Sequence, residues 1–192
     1  MARVVVTGGA GYVGSHAVRA LVEAGHAVAV VDDLSQGHAE AVPPGVTLTP
    51  VNIHDTDKVR GALEAHQADA VMHFAAWLIV NESVHRPLEY YNNNLGGTLS
   101  VLDAMRLAGV RRFVFSSTCA VYGQPPTMPI VETFEKHPTN AYGETKLAVE
   151  RALPHLERAH GLRWIALRYF NAAGAHPSGE IGEDHDPEIH LI

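Results

Sequence analysis

Short apolar runs alternate with longer stretches of mixed polarity along the whole chain. Residues 4–6, 27–31, 46–51, 70–74, 112–116 and 164–167 are rich in Val, Ile or Phe and apolar on successive positions. That pattern predicts strands covered on both faces, as in a parallel sheet. Residues 12–24, 55–65, 87–108 and 141–160 read as helices, and Gly25, Gly109 and Gly161 stand where a left-handed residue would end a helix. In 87–108 the apolar positions Leu88, Tyr91, Leu95, Leu99, Leu102, Met105 and Leu107 make a stripe that is mostly core-facing. The repeated strand–helix order predicts an α/β fold with helices on both faces of a parallel sheet. Pro154 breaks the rule inside the last helix and predicts a kink or an early end there. From Asn171 onward the texture turns to loop and no closing element follows, so the sequence reads as stopping before a second part.

Composition narrows the class. At 192 residues, with 46% hydrophobic and 18% charged residues, the chain can bury a core as one domain or slightly more. A formal net charge of −7 without a basic run argues against nucleic acid or an anionic membrane surface as partner. One cysteine, Cys119, gives no internal disulfide and suits a reducing compartment. No apolar run is long enough to span a bilayer, and Met1–Gly8 runs straight into a strand and a glycine loop, unlike a signal peptide. The expectation is a cytoplasmic, small-molecule-binding protein.

Thr7-Gly8-Gly9-Ala10-Gly11-Tyr12-Val13-Gly14 follows the first strand and opens the first helix. It fits G-x-G-x-x-G through Gly9, Gly11 and Gly14, and G-x-x-G-x-x-G through Gly8, Gly11 and Gly14. Such a loop turns tightly and brings backbone N–H groups and a helix N-terminus to a pyrophosphate. By itself it is also a common structural turn. Asp32, at the end of the second strand, adds a carboxylate that can accept from a ribose 2′-hydroxyl and repel a 2′-phosphate. No Arg or Lys follows in Asp33-Leu34-Ser35-Gln36-Gly37-His38, so NAD is favoured over NADP; a solvated turn Asp is the plainer alternative. Together these signals refine the fold to a Rossmann-type, doubly wound parallel sheet.

Tyr142 and Lys146 stand four residues apart on one helix face. A free phenol titrates near ~10, and a nearby ammonium with a positive nicotinamide would bring it down toward a working base. Ser116, Ser117 and Thr118 end the fifth strand with hydroxyls, and Thr118 is the best candidate to hold the reacting oxygen. The thirteen His invite a metal reading, with Asp184-His185-Asp186 and His190 densest, but no ligand spacing supports one. Cys119 has no partners for nucleophilic work and reads as packing.

These pieces make the chain resemble the extended short-chain dehydrogenase/reductases, and within them the UDP-glucose 4-epimerases. The resemblance rests on Thr7–Gly14 with His16, Asp32–Ser35, His73-Phe74-Ala75-Ala76, Glu82-Ser83-Val84 and Pro87–Asn94. It continues through Phe115–Ser117, Val121-Tyr122-Gly123, Tyr142-x-x-x-Lys146, Arg168-Tyr169-Phe170-Asn171 and Gly174–Gly179. It implies NAD held by Gly8, Gly11, Tyr12, Val13, Gly14, Asp32, Asp33, Leu34, Ser35, Asn52, Ile53, Phe74, Ala75, Ala76, Asn93, Ser116, Tyr142, Lys146 and Tyr169. It implies Thr118, Tyr142 and Lys146 as catalytic residues, and Thr118, Tyr142, Asn171, His190 and Leu191 toward UDP-galactose or UDP-glucose.

The implied reaction oxidises the sugar at C4 and reduces it on the other face, with NAD retained. Residues 1–170 would then be the cofactor domain and 171–192 the start of a substrate region whose remainder is missing. Turnover would be weak, and the sheet would be left with a bared edge. A homodimer through helices 87–108 and 141–160 is also implied. Three positions depart from family patterns: Asn52 for an adenine-contacting Asp, Leu78 for a cofactor-contacting Lys, and Ala120 for a second hydroxyl. An NAD-binding domain without turnover is one alternative. Another is a related nucleotide-sugar enzyme, although the Asp-Glu pair of dehydratases is absent after Thr118, where Cys119-Ala120 stand.

Overall fold

A computed structural model describes residues 1–185. Six strands, β1 (Arg3–Thr7), β2 (Ala27–Asp32), β3 (Thr47–Pro50), β4 (Ala70–His73), β5 (Arg112–Thr118) and β6 (Arg163–Tyr169), form one parallel sheet in the order β3-β2-β1-β4-β5-β6. The order reverses between β1 and β4, which opens a crevice at the carboxyl ends of the strands there. The main helices are α1 (Tyr12–Glu23), α2 (Thr56–Ala65), α3 (Val80–His85), α4 (Pro87–Tyr90), α5 (Gly97–Leu107) and α6 (Ala141–His160).

Side-chain alternation splits the core across the sheet. Val5, Ala29, Val31, Val71, Phe113 and Phe115 face α2, α5 and α6, where Val59, Leu63, Val101, Met105, Val149 and Leu153 meet them. Val4, Val6, Val28 and Val30 face α1 through Val18. The register places Val6, Met72, Val114 and Ile165 on that second face. Here the expectation of strands covered on both faces fails for β6, where Ile165 and Leu167 are exposed on the α1 side. The reason is local: α1 covers the β1–β2 half of this face and stops short of β6.

Gly25, Gly109 and Gly161 have φ of +78°, +72° and +69° and follow α1, α5 and α6 as the sequence predicts. The helix predicted over 87–108 is α4, a π turn (Tyr91–Gly96) and α5 in succession. Helix α3 was not legible in the pattern. Pro154 does not end α6, which runs on to His160. An interior proline costs ~3 kcal/mol of helix stability. Fully buried Val149 and Leu153 before it, and the Gly161 cap after it, hold the helix through that fault.

Candidate functional site

The glycine loop is fixed by close approach. A Cβ on Gly14 would lie 1.9 Å from the Gly8 carbonyl oxygen, and one on Gly8 would lie 2.4 Å from the Ala75 backbone nitrogen. The α1 N-terminus therefore packs directly on the turn after β1, and that turn on the strand end at β4. Gly9 faces Val30 in the core instead, so the 8-11-14 spacing is the one that lines the crevice. Gly11 is the N-cap of α1, no side chain caps it, and the first turn holds no acid. Its N–H groups and positive dipole end are left for an anion.

Asp32 does two jobs that its sequence position did not separate. Its Oδ2 accepts from Ala10 N at 3.0 Å and its Oδ1 from Leu34 N at 2.9 Å, pinning the glycine loop and a Leu34 held at φ +60°. Burial raises its pKa against the lowering effect of those two bonds. Each oxygen keeps a second lone pair for a ligand. Asp33 accepts from the Ser35 backbone and hydroxyl through Oδ1, and from Asn52 Nδ2 at 2.7 Å through Oδ2. Asp33, Ser35 and Ile53 line the same cavity, and Leu34 and Asn52 adjoin these lining residues in the chain.

Beyond β4, Phe74, Ala75 and Ala76 form the next wall. His73 is fully buried between Thr7 Oγ1 (2.6 Å) and Thr98 Oγ1 (2.8 Å). Thr98 already donates to the Asn94 carbonyl, so His73 Nε2 donates to Thr98 and Nδ1 accepts from Thr7. Burial pushes this imidazole down to about 3, keeping it neutral. Asn94, in the π turn, accepts from Trp77 N at 2.8 Å and donates to Trp77 O at 2.9 Å, which fixes the loop after Ala76. Asn93, beside it, lines the cavity, as do Trp77 and Leu78.

The opposite wall is built by β5, α6 and the end of β6. Asn140 caps α6 through Gly143 N at 2.8 Å and sets Tyr142 in its first turn. Thr118 ends β5, its hydroxyl accepts from Ala120 N at 3.1 Å, and it lines the cavity together with Tyr142. Lys146 Nζ is buried, donates to the Ser116 carbonyl at 2.9 Å, and lies 5.9 Å from the Tyr142 ring centroid. Tyr169 and Ser116 share a short hydroxyl contact. The lowering of the Tyr142 pKa is expected from Lys146 together with a nicotinamide; in the chain by itself burial prevails. Burial pushes the phenol up to about 12, which outweighs the lowering effect of Thr118, and pushes the amine down to about 7. A lysine that has lost much of its own charge is a weak source of positive potential.

One cavity of about 560 Å³ joins these parts. It runs from Gly8, Gly11, Tyr12, Val13, Gly14 and Asp32 past Phe74–Ala76 and Asn93 to Ser116, Thr118, Tyr142, Lys146, Tyr169 and Asn171. The segment after β6 closes one side by folding back on α1. Tyr12 Oη donates to the Gly174 carbonyl at 2.6 Å, and Arg19 pairs with Glu180 at 2.6 Å. His190 and Leu191 lie outside the described residues. Among the described residues no group of three His, Cys, Asp or Glu could hold a metal ion, and no helix is long and apolar enough to cross a membrane.

Sequence reasoning missed Trp77, Asn94 and Glu150. The first two needed the π turn. Glu150 is a buried carboxylate four residues past Lys146, a spacing that does show in the sequence.

The profile of the NAD dependent epimerase/dehydratase family matches residues 4–188. A UDP-glucose 4-epimerase of Lactobacillus helveticus is 50% identical over 190 residues, covering 99% of this chain and 58% of the relative. One from Halalkalibacterium halodurans is 50% identical over 189 residues, with 98% and 56% covered. The crystal structure of UDP-glucose 4-epimerase from Brucella ovis in complex with NAD superposes at a TM-score of 0.96 with 47% identity, covering all of this chain and 58% of that one. The Bifidobacterium longum enzyme in complex with NAD+ and UDP gives 0.90 and 36%, with 94% and 57% covered. The chain thus spans less than three-fifths of the length of these relatives. With the family profile matched almost end to end, and relatives at half identity, the chain belongs to the NAD dependent epimerase/dehydratase family.

Proposed function

We propose that this chain binds NAD in the 560 Å³ cavity and interconverts UDP-galactose and UDP-glucose at the sugar C4. The observation that carries the reading is one continuous cavity with the glycine loop and Asp32 at one end and the Thr118–Tyr142–Lys146 group at the other. The loop fits the cofactor because Gly8, Gly11 and Gly14 line the cavity without side chains, and the uncapped α1 N-terminus suits a pyrophosphate. Asp32, Asp33, Leu34 and Ser35 would hold the adenosine ribose, Asn52 and Ile53 the adenine side, and Phe74, Ala75, Ala76 and Asn93 the middle. Ser116, Tyr169 and Lys146 would flank the nicotinamide riboside.

When bound, NAD supplies a hydride acceptor whose positive ring also favours ionisation of a neighbouring phenol. Tyr142 Oη then takes the proton of the sugar 4-hydroxyl and later returns it, while the Thr118 hydroxyl holds that oxygen in line. Lys146, fixed on the Ser116 carbonyl, keeps a polar head beside both. Asn171 borders the sugar end. Leu88, Tyr91 and Leu99 expose apolar surface along α4, the π turn and α5, which supports self-association of two copies through this face. The single half-buried Cys119 supports a cytoplasmic setting. Nothing in the charge balance favours nucleic acid or a membrane surface as partner.

The test is UDP-galactose to UDP-glucose conversion beside an NAD titration and a mass spectrum of the purified protein. Turnover that depends on bound NAD supports the reading. Absence of NAD binding overturns it, and NAD binding without turnover reduces it to a cofactor-binding domain.

A further inference from the structure

We propose that Glu150 is a positioning residue for the Thr118–Tyr142 pair, holding the end of β5 against α6 from the side away from the cavity. The proposal rests on the functional reading above. Tyr142, Lys146 and Glu150 follow one another at four-residue steps and share a face of α6. Each meets a different residue at the end of β5. Tyr142 lines the cavity beside Thr118, Lys146 Nζ donates to the Ser116 carbonyl at 2.9 Å, and Glu150 Oε1 accepts from Ser117 Oγ at 2.5 Å. Ser116 and Thr118 line the cavity, whereas Ser117, Glu150 and Arg168 do not.

The contact is braced on both sides of Thr118. Arg168 stands opposite Ser117 in the β5–β6 register and gives its guanidinium to both Glu150 oxygens, with Nη2 at 2.6 Å from Oε2. Its Nη1 reaches on to Tyr122 Oη at 2.7 Å. Tyr122 ends the 3₁₀ turn (Cys119–Tyr122) that starts immediately after Thr118. The network therefore fixes the residue before Thr118 and the turn after it. A buried ion pair is seldom needed for stability, since packed apolar groups serve as well. What apolar groups would not supply is a directional hold on Ser117. The role is geometric, because burial alone accounts for the shifted Lys146 amine.

The test uses Ser117→Ala, which leaves Glu150 paired with Arg168, and Glu150→Gln, which can still accept from Ser117. Glu150→Ala is the severe variant and can fail to fold. The readouts are kcat, the sugar KM, NAD affinity, melting temperature and the iodoacetamide alkylation rate of Cys119. That thiol is the only one in the chain, follows Thr118 directly and lines the cavity.

Ser117→Ala should lower kcat by about five- to fifty-fold, short of the ~10² that a 1 Å misplacement can cost. KM and NAD affinity should stay within about twofold, and Cys119 should alkylate several-fold faster. Glu150→Gln should retain most of the activity. Unchanged kcat and Cys119 reactivity in Ser117→Ala would overturn the proposal, as would losses that track melting temperature alone. If the parent chain binds NAD without turnover, the functional reading fails separately, and Cys119 reactivity still decides the positioning role.

Discussion

Replacing Asp32 with Asn separates the two jobs of that side chain. Asn keeps the shape and one carbonyl oxygen, which can still accept from Leu34 N. Its amide nitrogen then faces the Ala10 N–H, now 3.0 Å from the carboxylate, and leaves that donor unpaired. A buried unsatisfied N–H costs about 1–3 kcal/mol. Part of this is offset, because burial already disfavours the Asp32 charge, whose pKa lies above the ordinary range. A net loss of about 1–2 kcal/mol is expected, which for a chain of this length lowers Tm by about 2–8 °C.

The cofactor effect adds to the stability effect. Losing an ionised acceptor for ribose hydroxyls removes about 1.5–3 kcal/mol, a roughly ten- to hundred-fold rise in the NAD Kd. NADP loses less, because the repulsion of its 2′-phosphate disappears with the charge. The assay is calorimetric titration of both nucleotides beside a thermal melt. The NADP/NAD ratio of Kd values should shrink at least about tenfold by these magnitudes. A lowered Tm with an unchanged ratio would show that Asp32 only pins the loop.

Tyr142→Phe removes the proton acceptor and keeps the ring, so epimerisation should fall by ~10²–10⁴ while NAD affinity holds within about twofold; calorimetry and the coupled sugar assay check both. Gly14→Ala must relieve a 1.9 Å clash with the Gly8 carbonyl, so it should cost about 1–3 kcal/mol of stability and weaken NAD binding, read by denaturant midpoint and titration. Burial holds the folded Lys146 amine near 7, below its ordinary 10.5. Between those values the unfolded chain binds a proton that the folded chain does not, so stability should rise with pH across that window. Lys146→Met should flatten the rise between about pH 7 and about pH 9 in urea melts, and an unaltered slope would remove Lys146 as its source.

The central strands were legible because Val-rich runs such as Val4–Val6 and 27–31 sit between two helical layers and need no alternation. β6 misled for the same reason in reverse. Its apolar Ile165 and Leu167 read as core, and only the reach of α1 decides that they are exposed. The glycine loop, Asp32, Tyr142 and Lys146 were legible as local spacings. The direction of the Tyr142 shift was not, because it depends on how deeply the phenol itself is buried, which no spacing encodes. Asn94 and Trp77 were invisible because their contact depends on a turn of non-standard pitch. Pro154 shows the limit of propensity when packing on either side outweighs it.

That turn of non-standard pitch, Tyr91–Gly96, makes the number of residues in the helix a phase setting. In a regular helix each residue rotates the chain by about 100°. The turn lets the leading end seat Tyr90 against Ile79 and Glu82, while the trailing end aims Val101 and Met105 at the core. Deleting one residue near Leu95 would relax the pitch to that of an ordinary helix, with little loss of helical hydrogen bonding. It would also swing Asn93 and Asn94 about a quarter turn away from Trp77 and the cavity. The segment should therefore tolerate many exchanges of side chain yet fail on a change of length. A deletion scan should show loss of nucleotide binding together with a melt lowered by the broken Asn94–Trp77 bonds.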